Sequence, residues 1–544
     1  MTTVVADAPR VGSVVDRLAR AVGAVDRRET HGSWVLLTRA RAYKVKKPVV
    51  MAFLDYGTLA RRREMCRAEV ELNRRTAPGI YLGVRAIVAE GECVTLARED
   101  APDAIEYAVE MRRFDEADTL AARLAAGAAT AVDLTRIGAR LAGFHARCEP
   151  VALAAGAEAV KRSLDDDFAS LSTLLGDDAP LTRELVAAER CAAGFLGVRR
   201  TELDARAREG RVRDGHGDLR AEHVLLDPEE SLVDAIEFDP GLRRIDAGLD
   251  LAFLVMDLHA AGRADLARPL VDGYRDAGGD PGDDRLIAFF AAYRARVRAK
   301  VSLLRARQLP ADAAAASGER ERAAGLLRLG ARLLWEAREP AVIAIAGVAA
   351  SGKSTLAGAL AERAGRPVLS SDVVRKGLVG VAPGDRAPGS AYGAEVTGAT
   401  YRELGRRAAA GAGTVIVDAT LHRRALRDAF RTALGPAASR LVFVECRAPA
   451  AELDRRLRAR SRDHRRVSDA TAAVLRRQLA DRDPLDEVPA ARHVLVRSDQ
   501  PVEHLAAAVE AALDLRTVSR APQPRGRLRT GRRPRPDGAR VARA

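Results

Sequence analysis

The residues with the clearest chemistry lie at 347–354 and read Gly-Val-Ala-Ala-Ser-Gly-Lys-Ser. A small apolar run, 341–346, precedes them, and a helical pattern opens at Thr355. Strand, glycine-rich loop and helix in this order predict a phosphate-binding loop, in which backbone N–H groups and the helix N-terminus face phosphate oxygens. A glycine-rich turn in an unrelated unit is the alternative. The predicted nucleotide-binding positions are Gly347, Ser351, Gly352, Lys353, Ser354 and Thr355.

The loop chemistry implies ATP and Mg²⁺ as cofactors. Lys353 would reach the terminal phosphates, and the Ser354 hydroxyl would hold the metal. Asp418 ends the apolar run 413–417, in the Walker-B arrangement, where a carboxylate acts on Mg²⁺ through water. We therefore predict Ser354 and Asp418 as metal-binding residues.

A second carboxylate, Asp372, follows Val368-Leu-Ser-Ser at the end of another predicted strand. There it would orient or deprotonate a substrate hydroxyl, which makes it a candidate catalytic residue. A helix N-cap is an alternative role for the same side chain. Arg375, three residues later, would neutralise an anionic group.

An arginine-dense helix follows near 453–462. Arg456 and Arg460 lie four residues apart, so they share one helix face. Two guanidinium groups in this arrangement suit a lid that clamps the transferring phosphate. An arginine-rich solvated face is the other interpretation in this arginine-rich chain.

Residues 341–500 resemble the small P-loop kinases related to gluconate kinase and the zeta-toxin group, families often labelled AAA-family ATPases. The matching segments are GVAASGKSTL, SSDVVRKGL, VIVDATLHRRALR and the stretch around Ser468-Asp-Ala470. The resemblance implies phosphoryl transfer from ATP to a small-molecule hydroxyl.

The N-terminal half carries a different pattern. His216-Gly-Asp218 resembles the H-G-D-x-x-x-x-N catalytic loop of aminoglycoside-phosphotransferase-like kinases, which implies that Asp218 accepts a substrate proton. His223 stands where that family has Asn, and imidazole is a poor ligand for Mg²⁺. Glu237 stands at the second metal carboxylate, where the family has Asp. Whether this half transfers phosphoryl groups stays open.

Lysine usage points to the nucleotide lysine of this half. The chain has 89 Lys plus Arg, and seven are lysines, three of them at 44–47. A lysine retained in such a chain suggests a need for a compact ammonium. By the same resemblance, Lys44 is predicted to bind nucleotide, with Lys46 on the same strand face as the alternative and Glu69 as ion-pair partner. Asp250, in a D-x-x-x-D-L-A segment, would be structural.

These residues need two scaffolds. Short strands at 33–55 and 80–114 flank a helical stretch at 58–76, and helical segments follow, which fits a protein-kinase-like bilobal domain. Strand and helix alternate from 341 to 514, which predicts a P-loop NTPase domain with a doubly wound parallel sheet. The fold class is thus α/β and α+β. The predicted domains are 1–335, 338–515 and a disordered Arg/Pro/Gly-rich tail, 516–544.

Composition and charge limit the kinds of protein that this chain could be. The net charge is +14, and the tail holds ten Arg and one Asp, so it carries +9 of that charge. The tail is a candidate for weak electrostatic contact with nucleic acid, and a solubilising role is the alternative. Five scattered cysteines, no long apolar run and no signal peptide predict a cytoplasmic protein without a membrane span.

The favoured function is an ATP- and Mg²⁺-dependent kinase for a small-molecule acceptor, with its main chemistry in the C-terminal domain. The first alternative is a nucleotide switch that hydrolyses ATP and has a non-catalytic kinase-like N-terminal domain. A nucleic-acid-associated ATPase using the tail is the second. No prediction of oligomeric state follows.

Overall fold

The computed structural model describes residues 3–4, 8–30, 32–51, 54–152, 155–176, 178–310, 312–411, 413–460 and 471–519. Within these ranges, every helix is too short or too polar to cross a lipid bilayer.

The strands and helices divide between an N-terminal body and a C-terminal domain. The strands are β1 (Thr3–Val4), β2 (Asp26–Glu29), β3 (Ser33–Leu37), β4 (Arg41–Lys46), β5 (Val49–Met51), β6 (Leu54–Asp55), β7 (Tyr81–Glu90), β8 (Cys93–Arg98), β9 (Ala104–Arg112), β10 (Val212–Asp214), β11 (Arg244–Asp246), β12 (Val342–Ala346), β13 (Val368–Ser370), β14 (Val415–Asp418), β15 (Leu441–Arg447) and β16 (His493–Arg497). The helices are α1 (Ala8–Ala21), α2 (Leu59–Arg74), α3 (Leu120–Ala125), α4 (Ala131–Arg147), α5 (Gly156–Leu175), α6 (Ala179–Arg208), α7 (Pro240–Arg243), α8 (Ala247–Ala260), α9 (Ala267–Asp276), α10 (Asp284–Gln308), α11 (Ala314–Ala337), α12 (Lys353–Ala364), α13 (Ser371–Leu378), α14 (Ala394–Ala410), α15 (Arg424–Leu434), α16 (Ala450–Arg460), α17 (Ala472–Ala480) and α18 (Val502–Ser519).

The first lobe is an antiparallel sheet in the order β2-β3-β4-β9-β7-β8. Helix α2 packs on β7 and β9. Thr58 is the N-cap residue of this helix, and its side chain accepts a hydrogen bond from the Arg61 N–H, the usual way to satisfy a free amide at a helix N-terminus. Strand β4 therefore lies in mid-sheet, and α2 lies beside it on the core face.

The second lobe is helical, and its helices approach closely where glycines allow. A Cβ at Gly138 of α4 would lie 2.2 Å from the Leu270 carbonyl oxygen, and one at Gly273 of α9 would lie 2.3 Å from the Thr135 carbonyl oxygen. Larger residues at either position would force α4 and α9 apart. The short pair β10 and β11 flanks the His216 loop and joins it to this lobe.

The C-terminal sheet is parallel, in the order β13-β14-β12-β15-β16. Strand β12 lies at its centre and its residues are all buried. Ile343 and Ile345 pack on one face with α12 and α18, whereas Val342 and Ala344 pack on the other. Burial on both faces explains why β12 is uniformly apolar. The predicted fold class, including the doubly wound parallel sheet, is confirmed.

The two parts join without a long linker, because residues 338–341 alone separate α11 from β12. Leu333 and Leu334 of α11 pack in the N-terminal core, while Trp335 packs in the C-terminal core. The predicted boundary at 335–338 thus falls at the end of a helix shared by both cores. Helix α18 ends at Ser519, and the remainder of the predicted tail lies outside the described residues.

Candidate active sites

The phosphate loop follows the carboxyl end of β12, and α12 begins at Lys353, two residues earlier than the sequence pattern indicates. Gly352 is the N-cap residue and has φ 86°, which favours glycine. A Cβ there would also lie 3.0 Å from the Ser498 Cβ, and one at Gly347 would lie 2.4 Å from the Ser351 Oγ. A side chain at either glycine would therefore crowd neighbouring atoms of the loop and of the segment after β16.

Helices α16 and α17 hold the loop from outside. The Ala349 N–H donates to Gln478 Oε1 of α17 at 2.7 Å, and Arg456 of α16 donates to the Ala350 carbonyl at 3.5 Å. Ala350 has φ 63°, a left-handed conformation that costs energy in a residue other than glycine. Apolar packing supports it, through Val348, Ala349, Ala350, Leu453, Leu457 and Leu475.

Lys353 and Asp418 meet at the loop. Lys353 Nζ lies 3.9 Å from Asp418 Oδ1, and this oxygen is buried without a hydrogen-bond partner among the described residues. The Ser351 hydroxyl is likewise buried and without a described partner. Ser354 and Thr355 are exposed in the first turn of α12. An unpaired carboxylate oxygen beside a hydroxyl-bearing helix start fits Mg²⁺, which prefers oxygen ligands.

Asp372 lies in the first turn of α13, directly after β13. Ser370 is paired with Asp418 across β13 and β14, so Asp372 lies near the same sheet edge as the loop. Asp372 is half-buried, and none of the described residues forms a hydrogen bond or ion pair with it. Its placement suits the predicted role toward a substrate hydroxyl, and the N-cap position belongs to Ser370 instead.

Arg375 has a different setting from the one predicted. It is 7% exposed and donates to the Ala391 carbonyl at 2.9 Å and to the Thr397 hydroxyl at 3.0 Å. Its guanidinium stacks on Tyr392, with 5.0 Å to the ring centroid. Arg375 therefore holds the segment before α14, and its buried Nε lacks a described partner.

Arg456 is also engaged by protein groups. It donates to Glu452 Oε1 at 2.6 Å, to the Ser498 hydroxyl at 3.1 Å and to the Ser498 carbonyl. It thereby connects α16 with the segment after β16. Arg460 ends α16, but its side chain and the Ser468-Asp-Ala470 stretch lie outside the described residues.

In the N-terminal body, both β4 lysines contact Glu69. Lys44 Nζ lies 2.8 Å from Glu69 Oε1, and Lys46 Nζ lies 2.8 Å from Oε2. Lys46 is fully buried, whereas the Lys44 side chain is 16% exposed and pairs with the partly exposed Asp234. The geometry favours Lys44 as the ligand-facing lysine and gives Lys46 an internal role.

Glu237 was predicted to bind metal, but protein groups in the interior contact its carboxylate. Its carboxylate accepts hydrogen bonds from Lys46 at 2.5 Å and from the Tyr56 hydroxyl, and its side chain is 6% exposed. Asp234 instead faces Lys44, 2.7 Å from its Nζ, with 45% of its side chain exposed. Sequence reasoning missed Asp234, because the spacing in the family pattern singled out Glu237. The backbone φ of Asp234 is 65°, which is unusual for a residue other than glycine, and the sequence gives no sign of this angle.

The predicted base Asp218 forms an ion pair with an arginine of the same loop. Arg220 Nε donates to Asp218 Oδ2 at 3.0 Å, and Arg220 Nη2 lies 3.1 Å from His223 Nε2. His223 Nδ1 lies 2.8 Å from the Asp218 carbonyl oxygen, which only accepts, so Nδ1 carries the proton. The Nε2 lone pair then faces the Arg220 N–H. His223 is therefore committed to protein contacts on both ring nitrogens.

Asp250 holds the His216 loop. Its carboxylate accepts from the backbone N–H of His216 at 2.7 Å and of Gly217 at 3.0 Å, and from His145 Nε2 at 3.2 Å. Burial alone would raise the pKa of Asp250, but the hydrogen bond from His145 and the other donors lower it well below its usual range. Burial lowers the pKa of His216 to about 4. The predicted structural role of Asp250 thus has a clear geometric basis.

Within the described ranges, no group of three or more His, Cys, Asp or Glu side chains is arranged to hold a metal ion. The pairing of the carboxylates nevertheless differs between the N-terminal body and the phosphate loop. Asp218, Asp234 and Glu237 each pair with an internal cation of the N-terminal body, whereas Asp418 Oδ1 beside the phosphate loop stays without a hydrogen bond.

The chain is similar in sequence or structure to several known proteins. The sequence model of a family described as "AAA domain" matches residues 342–485. A gluconokinase structure from Sinorhizobium meliloti 1021 is 24% identical, with a TM-score of 0.25, and the match covers 32% of this chain and 93% of that one. An aminoglycoside-3'-phosphotransferase of type VIII is 19% identical, with a TM-score of 0.28, and the match covers 51% of this chain and 97% of that one.

A relative of similar length was also found. The uncharacterized protein Rv2004c of Mycobacterium tuberculosis (strain ATCC 25618 / H37Rv) is 33% identical over 479 residues, which cover 84% of this chain and 91% of the relative. The match therefore spans both the kinase-like N-terminal body and the P-loop domain. The chain belongs to the same family as this mycobacterial protein.

Proposed function

We propose that the protein is an ATP-dependent phosphotransferase that acts on the hydroxyl group of a small molecule, with transfer in the P-loop domain, residues 338–515. The main support is the pairing of a complete phosphate loop with Asp418, whose buried Oδ1 lies 3.9 Å from Lys353 Nζ and has no described hydrogen-bond partner. A buried carboxylate oxygen is costly to leave unpaired, so this arrangement fits a site that is completed by nucleotide and metal.

The roles follow from position. The first-turn amides of α12 and Lys353 would hold the β- and γ-phosphates, and Ser354 with Asp418 would hold Mg²⁺, which neutralises charge on the phosphates when bound. Asp372 would orient the acceptor hydroxyl and take its proton. Arg375 and Arg456 would act by fixing the loops around the site, because protein groups already accept from Arg375 Nη1 and from all three guanidinium nitrogens of Arg456.

The N-terminal body would support this reaction by binding a substrate or a regulatory ligand. Its three carboxylates already have cations within 3.0 Å, so the demand for a metal there is lower than at the phosphate loop. The same observation favours the second candidate, a switch in which the P-loop domain hydrolyses ATP and the N-terminal body is not catalytic. Asp372 separates the two, because a hydrolytic switch has no need of a base for an acceptor hydroxyl.

The test is a metabolite screen with the full chain, ATP and Mg²⁺, read by mass spectrometry for products that gain one phosphoryl group. Lys353→Ala should abolish such products, and Lys161→Ala, an exposed lysine on α5, should not. Lys353-dependent ADP formation without any phosphorylated acceptor would instead support the switch. Unchanged turnover in Lys353→Ala would reject both.

A further inference from the structure

A cavity of about 300 Å³ lies at the junction of the N-terminal body and the P-loop domain. It lies at the amino ends of β12 and β14, the opposite end of the sheet from the phosphate loop. Its walls come from both parts of the chain. The lining residues are Asp284, Arg285, Trp335, Glu336, Arg338, Pro340, Ala364, Arg366, Gly413 and Thr414.

Three arginines line this cavity, and their partners differ. Arg338 is bound to Asp514 at 2.8 Å, and Arg285 is bound to the Ala337 carbonyl at 3.0 Å and to Glu339 Oε1 at 2.5 Å. Arg366 is half-buried, and no hydrogen bond or ion pair joins its side chain to a described residue. The cavity therefore contains one guanidinium whose donors the described protein groups leave unused.

Most charged residues of the cavity already have a partner of opposite charge. Arg338 is paired with Asp514, Arg285 with Glu339, and Asp284 with Arg275. Glu336 is exposed. Among the described lining residues, the positive charge left for a ligand is therefore that of Arg366.

The wall beside Arg366 is kept open by glycine. Gly413 has φ 70°, and a Cβ there would lie 3.2 Å from Arg366 Nη2. The Thr414 hydroxyl adds a polar group, at 3.4 Å from the Ala341 N–H. Trp335 supplies an apolar wall and stacks under Arg338, with 4.5 Å to the ring centroid.

We propose that this junction cavity binds a small phosphate-bearing metabolite, with Arg366 as the main contact. Guanidinium groups bind phosphate oxygens through paired, charge-assisted hydrogen bonds, and Arg366 has its fork free for such a contact. The volume is at the lower end of the range for small-molecule sites, which suits a small metabolite rather than a polymer.

The chain contains a reporter for this site, since its two tryptophans are Trp34 and Trp335. In the full chain with Trp34→Phe, emission reports on Trp335 alone, and Lys353→Ala removes phosphate binding at the loop. Inorganic phosphate and glycerol phosphate are titrated separately, with sodium chloride at matched ionic strength. We expect a saturable change in emission with a phosphate compound and none with chloride. The stronger of the two phosphate probes indicates whether the free ion or an ester is preferred.

Arg366→Gln should weaken this response at least tenfold, and Arg366→Lys should weaken it less. Arg268→Gln removes an exposed arginine of α9 and should leave the affinity unchanged. Melting curves of each variant show whether it is folded. An equal affinity in folded Arg366→Gln, or an equal response to chloride, would overturn the proposal. If Arg366→Gln fails to fold, a tighter affinity in Arg366→Lys than in the parent would also overturn it.

Discussion

Lys44 and Asp234 form an ion pair of 2.7 Å between β4 of the sheet lobe and the segment that follows the His216 loop. Three residues after Asp234, Glu237 makes the equivalent contact with Lys46, but in the interior. Glu69 lies between the two lysines and contacts both. The two acidic residues thus have different settings, because Asp234 is partly exposed to solvent whereas Glu237 holds Lys46 in the interior.

The first prediction follows from this difference in burial. Glu237→Gln should lower the free energy of unfolding of the N-terminal body by about 3 kcal/mol, because it removes one partner of a buried ion pair. Asp234→Asn should lower it by about 1 kcal/mol or less, because its side chain is 45% exposed and solvent screens the pair. Urea unfolding of the full chain measures both values. Equal losses would contradict the separate roles.

The second prediction ranks the two candidate bases. Asp372→Asn should lower phosphoryl transfer by about 10²-fold or more, the usual effect of losing a positioned base. Asp218→Asn should matter little for that reaction, because Asp218 is already paired with Arg220 and lies in the other half of the chain. Initial rates with the acceptor from the metabolite screen provide the measurement. The opposite ranking would make the N-terminal body the working kinase, and His223→Asn should then preserve or raise its rate.

The third prediction concerns the anchoring of α12. Glu510 of α18 is 2% exposed and binds Arg363, in the last turn of α12, through two hydrogen bonds of 2.8 and 2.9 Å. It also accepts from the Trp335 indole N–H at 3.0 Å. Because α12 begins at the phosphate loop, Glu510→Gln should weaken ATP binding several-fold in calorimetry of the full chain.

Glu362→Gln is the matched control for this variant, because Glu362 is the exposed neighbour of Arg363 on the same helix. It should leave the affinity for ATP unchanged. A lower melting temperature of Glu510→Gln with unchanged ATP affinity would show that the anchor serves stability alone.

The fourth prediction concerns acid sensitivity. Burial lowers the pKa of His216 from 6.5 to about 4, so between these values the unfolded chain binds a proton that the folded protein does not. The free energy of unfolding should therefore fall as pH drops through this window, by roughly 2 kcal/mol from His216 alone between pH 7 and pH 5.

His216→Gln isolates that contribution, because the other buried histidines stay in both proteins and the amide can still donate to the Val233 carbonyl. Urea unfolding at pH 7 and pH 5 should show a smaller loss in the variant than in the parent. An identical loss would mean that His216 does not carry the pH dependence.

Much of the architecture follows from local sequence signals. The glycines and lysine of 347–354, the apolar β12 before them and the acid after β14 predict the phosphate-loop domain, because each signal reflects a backbone or burial requirement within a few residues. The lysine-bearing strand and the His216 loop similarly predict a kinase-like N-terminal body. The fold class and the family resemblance are both confirmed.

Tertiary structure decided the contacts between residues distant in the chain. The spacing in the family pattern placed Glu237 at the metal position. Lys46 lies 191 positions earlier in the chain, so only the packing of the lobes shows that the two residues form a buried ion pair. Arg375 reads as a free cation in sequence, yet it is bound by Ala391 and Thr397. Local patterns determine which backbone a segment adopts, whereas long-range packing determines which charge neutralises which and so which side chains remain for a ligand.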